Sequence, residues 1–333
     1  MNQPANMDLR APGDRMPAPR VVSLILVWNE IEDTSRCIDS LLDSDYPNQH
    51  ILLVDNGSRE GIVAALRDRH PSIEILELGR NLGFSAGNNA GIEHARRSGF
   101  DYIFLLNQDT LVAADTLRQL VEFAQEHADA GIVGPAVLCY PQDSLLYAAG
   151  GSITWRAGET RNLGMFEPAA SSPHLGPPRP VGFVPGCGML VRARFLDEVG
   201  LLDPDYFFNF EEVAWAVRGR RAGFTCWCVP SARMWHKISA SLGSTSPANT
   251  YYMTRNALRF FWGNTAGAAR FEAVARILLR TLRTVAAWTL KPAYRSNGYH
   301  RRALANLMAI RDFLRGRYGP MGRGVAQVCR LTR

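Results

Sequence analysis

Short apolar runs alternate, along the first part of the chain, with segments in which apolar residues recur every three or four positions. The runs are typical of buried parallel strands, and the periodic segments are typical of amphipathic helices. Alternation of the two predicts βαβ units, and therefore an α/β fold with a mostly parallel sheet and helices on both faces. The predicted strands cover residues 21–28, 51–54, 73–78, 102–108 and a segment starting at 132, and the predicted helices cover 32–42, 61–69, 85–97 and 113–127.

Two acidic residues directly follow predicted strands. Asp55 closes the run at 51–54, and Asp109 closes the run at 102–108. Ligands of open α/β sheets bind beyond the carboxyl ends of the strands, so both carboxylates are expected at one crevice. A carboxylate there can hold a divalent cation or accept a hydrogen bond from a base or sugar. The pattern favours a metal-assisted reaction on a nucleotide-linked substrate.

A segment rich in glycine and asparagine, residues 80–91, links a predicted strand to a predicted helix. Glycine permits close backbone approach, and the amides at a helix N-terminus can bind an anion or a sugar hydroxyl. However, Gly83, Gly87 and Gly91 are four residues apart and do not form the G-x-G-x-x-G fingerprint of dinucleotide-binding proteins. A dehydrogenase is therefore disfavoured.

A further acidic pair, Glu211 and Glu212, precedes a segment with helical periodicity and follows several aromatic residues. A carboxylate with reduced hydration is a plausible general base, because burial raises its pKa towards working pH. The alternative is a pair that only complements the helix dipole. His236 follows the strand-like run at 224–229 and is either a metal ligand or an ordinary packed histidine.

Between about Cys139 and Pro185 the periodic pattern gives way to Gly, Pro, Ser and scattered aromatic residues, which predicts hairpins and a flexible loop. Loops of this kind often carry specificity, so acceptor recognition is expected between Cys139 and Gly188.

The composition is that of a globular protein. The 333 residues, 47% of them hydrophobic, can bury the core of one large or two fused domains. The six cysteines lack the spacing of a disulfide framework or a zinc site, so reduced, buried thiols are expected. Residues 1–20 resemble a disordered leader and not a secretion signal, and no apolar run approaches the roughly 20 residues of a spanning helix.

Charge is concentrated at the C-terminus. From Arg270 onwards the chain has 14 basic and two acidic residues, a net charge of +12, whereas the remainder has 23 basic and 29 acidic residues. Two basic amphipathic helices are predicted there. In the first, Phe271, Val274, Leu278, Leu282 and Val285 should form one face, and Arg276, Arg280 and Arg283 the other. The helices either dock on an anionic membrane surface or pack on the body with solvated arginines; nucleic acid is not expected as a partner.

Six short motifs occur in a characteristic order between Val21 and about Arg259. They are Val27-Trp28-Asn29-Glu30, Val54-Asp55-Asn56-Gly57-Ser58, Asn81-Leu82-Gly83-Phe84 with Gly87-Asn88-Asn89, Leu106-Asn107-Gln108-Asp109, Phe210-Glu211-Glu212, and Tyr251-Tyr252 with Arg255-Asn256. Jointly they resemble the family 2 glycosyltransferases, and among these the rhamnosyltransferase-like branch that builds bacterial surface polysaccharides. The resemblance implies a GT-A fold at residues 21–265, with a nucleotide-sugar half (21–138), an acceptor and catalytic half (139–265), and a basic helical tail (266–333).

The resemblance also implies roles for individual residues. Asp109 and His236 would bind Mg²⁺ or Mn²⁺, with Asn107 replacing the first acid of the family's D-x-D motif, and Glu212, with Glu211, would be catalytic. The implied nucleotide-sugar contacts are Asn29, Glu30, Asp55, Asn56, Asn81, Gly83, Phe84, Gly87, Asn88, Asn107, Gln108 and Asp109. Contacts with the transferred sugar or the acceptor are implied for Gly186, Gly188, Trp215, Tyr252, Arg255 and Asn256.

The implied activity is inverting, metal-dependent sugar transfer to a saccharide or a polyprenyl-diphosphate-linked acceptor, at the inner face of the cytoplasmic membrane. dTDP-L-rhamnose is the favoured donor, with galactofuranose, glucose, mannose or N-acetylhexosamine donors as alternatives. Two positions depart from the family pattern: Glu212 stands in place of Asp, and Ala214 in place of a further acid. The second departure leaves open a degenerate protein that binds nucleotide sugars without catalysis. A nucleotidyltransferase is disfavoured, because the segment after the first strand lacks a glycine-rich basic signature.

Overall fold

A computed structural model describes residues 17–237, 246–294 and 299–329. Its strands are β1 (Val21–Val27), β2 (Gln49–Asp55), β3 (Glu74–Glu77), β4 (Tyr102–Asn107), β5 (Thr110–Val112), β6 (Ala130–Cys139), β7 (Leu146–Ala148), β8 (Gly151–Thr154), β9 (Glu159–Asn162), β10 (Arg179–Pro180), β11 (Gly188–Arg192) and β12 (Thr225–His236). Its helices are α1 (Glu32–Leu42), α2 (Ile62–Arg69), α3 (Gly83–Arg96), α4 (Thr116–Glu126), α5 (Ala193–Val199), α6 (Glu211–Arg221), α7 (Pro247–Asn264), α8 (Gly267–Leu290), α9 (Tyr299–Leu314) and α10 (Arg323–Cys329).

The central sheet has the order β10-β12-β6-β11-β4-β1-β2-β3, with β5 paired to β12 and β7 paired to β6. The pairs β1–β2, β1–β4, β2–β3 and β6–β12 are parallel, and β11 runs antiparallel between β4 and β6. The predicted α/β class with a mostly parallel sheet is therefore confirmed. The region after Cys139 contains β7 and the predicted hairpin, formed by β8 and β9.

Side chains alternate across the sheet and divide the core into two layers. In β1, Val22 and Leu24 belong to the layer covered by α3, α5, α6 and parts of α7 and α8. Val21, Ile25 and Val27 belong to the opposite layer, covered by α1, α2 and α4. Because β1 is buried on both faces, its sequence is a continuous apolar run, as expected for a central parallel strand.

Glycine explains how closely α3 packs on the sheet. A Cβ atom at Gly91 would lie 2.4 Å from Leu24 Cδ1 and 2.7 Å from Val54 Cγ2, which is closer than carbon atoms pack. The helix can therefore rest directly on β1 and β2, and its N-terminus is held at the carboxyl ends of these strands.

The C-terminal helices pack on the body, one of the two alternatives that the sequence left open. Ala273, Val274 and Ile277 of α8 join the core layer of α3. The Arg280 side chain is 43% exposed, but it is also bound to the body: its guanidinium donates hydrogen bonds to the carbonyl oxygens of Ala157 and Gly158, each 2.7 Å long. The tail is thus attached to the β8–β9 hairpin.

The predicted faces of α8 are also partly wrong. Phe271 and Leu282, expected on the buried face, are 65% and 49% exposed. Val274 of the predicted face is buried, but its buried neighbours are Ala273 and Ile277, because the side of α8 that carries these three residues meets the body. An exposed apolar stripe is left on the other side of the helix.

The part of the leader that the structure describes is bound to the body. Tyr46 donates a hydrogen bond to the carbonyl oxygen of Pro19, and the Arg20 amide donates to Asp101. The expected disorder of residues 1–16 lies outside the described residues. All six cysteines are buried free thiols, as predicted. Among the described helices, none is long and apolar enough to cross a membrane.

Candidate active site

The ends of β1 and β4 lie side by side and are joined by one side chain. Leu26 is in register with Asn107, the last residue of β4, and β1 ends one residue after Leu26, at Val27. Gln108 Oε1 accepts a 2.6 Å hydrogen bond from the Trp28 amide, and Gln108 Nε2 donates to the Trp28 carbonyl oxygen at 3.3 Å. Gln108 therefore holds the ends of β1 and β4 together at the place where the crevice was expected.

Asp55 lies at the end of β2, opposite Val27 in the sheet register. It is buried, and its carboxylate accepts a hydrogen bond of 3.1 Å from the Ser58 amide. Asn29, at φ 63°, joins the same turn: its amide donates to Ser58 Oγ, and its Oδ1 accepts from the Arg59 amide. These bonds tie the loops after β1 and β2 together; Glu30, next to Asn29, is partly exposed.

The asparagines before and within α3 organise the loop from which the helix starts. Asn56 Oδ1 accepts from the Leu82 amide at 2.8 Å, and Asn81 Oδ1 accepts from the Gly83 amide at 2.8 Å. Asn88 is fully buried and donates to the Phe84 carbonyl oxygen. Asn56, Asn81 and Asn88, predicted as nucleotide-sugar contacts, therefore shape the loop, and these side-chain groups are already used within the protein.

Asp109 and His236 are brought together by the pairing of β5 with β12, in which Thr110 is in register with His236. His236 Nε2 lies 3.2 Å from Asp109 Oδ1, and Asn107 Nδ2 lies 3.4 Å from the same nitrogen. Asp109 and His236 are buried, and within the part of the chain that the structure describes His236 Nδ1 has no hydrogen-bond partner and Asp109 Oδ1 has none besides this contact with His236 Nε2.

Asp109 and His236 fit a divalent cation whose other ligands come from a substrate and from water. No group of three or more Asp, Glu, His or Cys residues suited to holding a metal occurs among the described residues. One carboxylate and one imidazole leave most positions open, and Mg²⁺ in phosphate-transfer sites likewise takes one or two carboxylates, with waters and substrate phosphates completing the shell. Asp109 could be the charged ligand, and His236 could be the neutral one.

Glu211 and Glu212 begin α6, directly after Phe210, which has φ 73°. Burial raises the pKa of Glu212 to about 7, against the opposing effect of hydrogen bonds from backbone amides at the helix start. Burial, together with the charge of Glu212, raises the pKa of Glu211 well above its usual range. Each carboxyl has one oxygen without a hydrogen-bond partner in the described structure. Glu212 can therefore exchange a proton near neutral pH, as a general base must.

Tyr147 and Cys187 link the two acidic sites. Burial raises the pKa of both groups, and the charges of Asp109 and Glu212 each raise it further. The Tyr147 ring also contacts the edge of the His236 ring, with centroids 5.3 Å apart. Asp109 and Glu212 are thus both close enough to Tyr147 and Cys187 for their charges to act on these two groups. Tyr147 was missed by the sequence analysis, because its segment has no periodic pattern.

A cavity of about 210 Å³ opens beside the strand ends. One side is formed by Asn56, Asn81 and Gly83, with Trp28, Asn107 and Gln108 from the sheet. The opposite wall is apolar and comprises Phe84, Phe207, Phe208, Tyr252 and Met321. Gly186 lies between this cavity and the base: a Cβ there would be 3.4 Å from the Phe84 ring and 3.9 Å from Glu212 Cβ. Tyr252 therefore lines the cavity and Gly186 lies beside it, and contact of either residue with a sugar stays a prediction.

Other predicted sugar contacts are wrong. Trp215 is fully buried and donates its indole hydrogen to the Gly200 carbonyl oxygen, so it is a core residue. Gly188 lies in β11 between Leu106 of β4 and the side chain of Met234. Arg255 and Asn256 are completely buried, and their side chains bind backbone carbonyl oxygens. None of these four residues lines the cavity described above.

Ala214 also belongs to the core layer of α3 and α6. An acidic side chain at position 214 would be buried among apolar residues. The alanine therefore does not deprive the cavity of an acidic group.

Comparison with known proteins agrees with this geometry. Residues 24–200 match the model of Glycosyl transferase family 2. The chain is 31% identical over 210 residues to N-acetylglucosaminyl-diphospho-decaprenol L-rhamnosyltransferase of Mycobacterium tuberculosis, covering 58% of this chain and 68% of that protein. It is 22% identical over 249 residues to the dTDP-rhamnosyl transferase RfbF of Shigella flexneri, covering 71% and 78%.

Solved structures show the same fold at low sequence identity. A mannosyltransferase from Pyrobaculum calidifontis, in complex with GDP-Man and Mn²⁺, superposes with a TM-score of 0.55 at 16% identity, covering 92% of this chain and 91% of the other. GalNAc-T7 with UDP, GalNAc and Mn²⁺ superposes with a TM-score of 0.56 at 15% identity, covering 84% and 61%. With a GT-A-like sheet, and with the family match over more than half its length, the chain is a glycosyltransferase that belongs to glycosyl transferase family 2, among relatives named as rhamnosyltransferases.

Proposed function

We propose that this enzyme transfers a sugar from a nucleotide donor to an acceptor hydroxyl in one displacement, with inversion at the anomeric carbon. The observation that carries the proposal is the position of Asp109, His236 and Glu212 around Tyr147 and Cys187. Glu212 takes the proton from the acceptor hydroxyl as that oxygen attacks the anomeric carbon. The bond from this carbon to the nucleoside diphosphate breaks at the same time.

Asp109 and His236 would hold the divalent cation, Mg²⁺ or Mn²⁺. When bound, the cation supplies positive charge that stabilises the departing diphosphate. Mn²⁺ in the two structural neighbours supports this proposal. The chain's own contribution is a buried carboxylate whose Oδ1 lies 3.2 Å from the His236 imidazole, so that the two side chains could bind one cation. The loop at the start of α3 would bind the nucleotide part of the donor, with Asp55 facing the base.

The proposed sugar is L-rhamnose, carried on dTDP. Two relatives are named as rhamnosyltransferases. The apolar wall of Phe84, Phe207, Phe208 and Met321 supports the same choice. Rhamnose has a methyl group where most hexoses have a hydroxymethyl group, and a hydroxyl buried against aromatic rings would lose its hydrogen bonds to water.

A screen of nucleotide sugars by thermal shift, with and without Mn²⁺, tests the proposed donor. We expect dTDP-rhamnose with Mn²⁺ to raise the melting temperature most, since a ligand at 100 times its Kd stabilises the folded state by about 2.7 kcal/mol. UDP-glucose, GDP-mannose and UDP-N-acetylglucosamine are the comparison ligands. A larger shift with one of these would replace rhamnose as the donor, and no shift with any nucleotide sugar would contradict the proposal as a whole.

We further propose that the acceptor is linked to a polyprenyl diphosphate and that the enzyme docks on an anionic membrane surface. The decaprenol-linked substrate in the name of the mycobacterial relative supports such an acceptor. On α8 and α9 several leucines are exposed, namely Leu279, Leu282, Leu290, Leu304, Leu307 and Leu314. Exposed arginines accompany them on α8, including Arg276 and Arg283. Leucines that enter the lipid interface and arginines that meet anionic headgroups are the features of an interfacial helix.

Replacing both Leu279 and Leu282 with glutamate should weaken membrane binding. We expect co-sedimentation with vesicles containing anionic lipid to fall at least tenfold, because two charges replace apolar side chains at the interface. Leu42→Glu is the matched control, since Leu42 is an exposed leucine on α1. If the double variant sediments like the parent, this face of α8 is not the docking surface. A truncation at Arg270 cannot replace this test, because it also removes Met321 from the cavity.

A further inference from the structure

The loop between Tyr206 and Phe210 has an unusual backbone conformation. Phe207, Asn209 and Phe210 have φ values of 62°, 69° and 73°, in a region that L-residues other than glycine seldom occupy. Such a conformation persists only where surrounding contacts determine it, and it tends to occur at functional sites. Here the contacts come from α7, through the side chains of Arg255 and Asn256.

Asn256 binds three backbone carbonyl oxygens of this loop. Its amide nitrogen lies 2.8 Å from the carbonyl oxygens of Tyr206 and Phe208, and 2.9 Å from that of Asn209. Its Oδ1 accepts a hydrogen bond from Arg255 Nε at 3.0 Å, which fixes the orientation of the amide group. Asn256 is completely buried, so water cannot replace these bonds.

Arg255 joins the same loop to the C-terminal segment. Its Nη2 donates to the carbonyl oxygens of Asp205 and Tyr206, and its Nη1 donates to that of Gly319 at 2.7 Å. The Gly319 amide in turn donates to the Asp205 carbonyl oxygen at 2.6 Å. The guanidinium, 1% exposed, also lies over the rings of Tyr251 and Tyr252, at 5.2 and 5.0 Å from their centroids.

The segment held by Arg255 ends at the cavity. The Met321 amide donates a 3.0 Å hydrogen bond to the Tyr252 hydroxyl, and both side chains line the apolar wall. Phe207 stacks on Tyr252 with ring centroids 5.2 Å apart. Its carbonyl oxygen accepts a 2.7 Å hydrogen bond from the Phe84 amide at the start of α3. The loop therefore contacts the proposed nucleotide-sugar loop on one side and leads directly into Glu211 and Glu212 on the other.

We propose that Arg255 and Asn256 are positioning residues that hold the 206–210 loop and the Gly319–Met321 segment as one unit, which sets Glu212 relative to the bound donor. Neither side chain touches the substrate. They act through the loop, whose end is the first turn of α6. The inference rests on the proposed sugar transfer.

Asn256→Ala and Arg255→Lys test this proposal in the full-length protein. We expect kcat to fall at least tenfold in both, because Glu212 loses its fixed position. The affinity for dTDP with Mn²⁺, measured by calorimetry, should stay within threefold of the parent value, because the nucleotide loop and Asp109 are unchanged. Hydrogen exchange should accelerate at residues 206–210 and 318–321. Arg255→Lys keeps the charge but loses the planar set of donors, so its defect would show that geometry is required.

Asn306→Ala is the matched control. Asn306 is also a buried asparagine of the C-terminal helices, and it accepts a hydrogen bond from Thr254, away from the loop. The control should keep the kcat of the parent and normal exchange at 206–210. A parental kcat or unchanged loop exchange in folded Asn256→Ala would overturn the proposal, as would equal losses of kcat in Asn306→Ala and Asn256→Ala.

Failure of the proposed function would look different. If the parent binds no nucleotide sugar, the transfer reaction is wrong, whereas the exchange experiment still reports whether Asn256 and Arg255 hold the loop. If the parent transfers sugar and Glu212→Gln is inactive, but the α7 variants are normal, only the positioning role is wrong.

Discussion

Glu212→Gln is expected to lower kcat by about 10²- to 10⁴-fold, the usual contribution of a general base. Glutamine keeps the size of the side chain but cannot accept the proton of the acceptor hydroxyl. Donor affinity should change little, because Glu212 is not among the residues that line the cavity. Initial rates of sugar transfer, with the binding of dTDP and Mn²⁺ measured in parallel, test this expectation. Transfer at the parental rate would remove Glu212 from the role of base.

The pH dependence gives this variant an internal control. In the parent, activity should rise as Glu212 loses its proton, with a midpoint near its raised pKa of about 7. The pKa of Glu212 in the folded protein lies above the ordinary value of 4.5. Between pH 4.5 and about 7 the folded state therefore binds more protons than the unfolded state. The free energy of unfolding of the parent therefore falls as pH rises through this window.

Glu212→Gln removes that loss of stability. We expect the variant to melt at a higher temperature than the parent at pH 8, and at a similar temperature near pH 4.5. An inactive variant with this stability profile would be folded, and the lost activity would be chemical in origin. A variant that is less stable at both pH values would instead have disturbed the start of α6.

Asp109→Asn is expected to abolish the increase in nucleotide affinity that Mn²⁺ produces. The substitution keeps the shape of the side chain but removes the carboxylate that contacts His236, so a cation there loses its charged protein ligand. Calorimetry with dTDP, with and without Mn²⁺, should show a loss of at least tenfold, or about 1.4 kcal/mol, only in the presence of the metal.

Asp55→Asn provides the contrast. Asp55 is buried at the end of β2 and is proposed to face the base, so its replacement should weaken dTDP binding equally with and without Mn²⁺. If Asp109→Asn shows the same pattern as Asp55→Asn, or keeps the full effect of the metal, Asp109 is not a metal ligand.

The strands and the acids at their ends could be predicted from the sequence for a simple physical reason. Strands buried on both faces give apolar runs such as that of β1, and a polar residue that ends such a run must lie at the carboxyl edge of the sheet. Asp55 and Asp109 follow this rule. From its own surroundings in the sequence, Glu212 could be predicted as an acid at the start of a helix, either a general base or a partner of the helix dipole. The Phe210-Glu211-Glu212 motif implied the catalytic role.

The remaining parts of the site depend on contacts between distant segments. Tyr147 lies in a short strand of a region without periodicity, and its position beside His236 follows from the pairing of β7 with β6. Arg255 and Asn256 were expected to contact a ligand because they belong to a motif of the family, yet tertiary packing buries them completely. Helix α8 has apolar residues on two sides, so its sequence could not indicate which side meets the body.

The wall that contains Met321 has a consequence for biosynthesis of the protein. Trp28 and Met321 border the same cavity although nearly 300 positions separate them along the chain. During translation the nucleotide half can fold early, but the cavity stays open until the ribosome has released the segment around Met321. A nascent chain stalled before that point would have the sheet and both acidic sites without a complete pocket. Because α10 directly follows the segment around Met321 that lines the cavity, a purification tag is better placed before residue 17 than after α10.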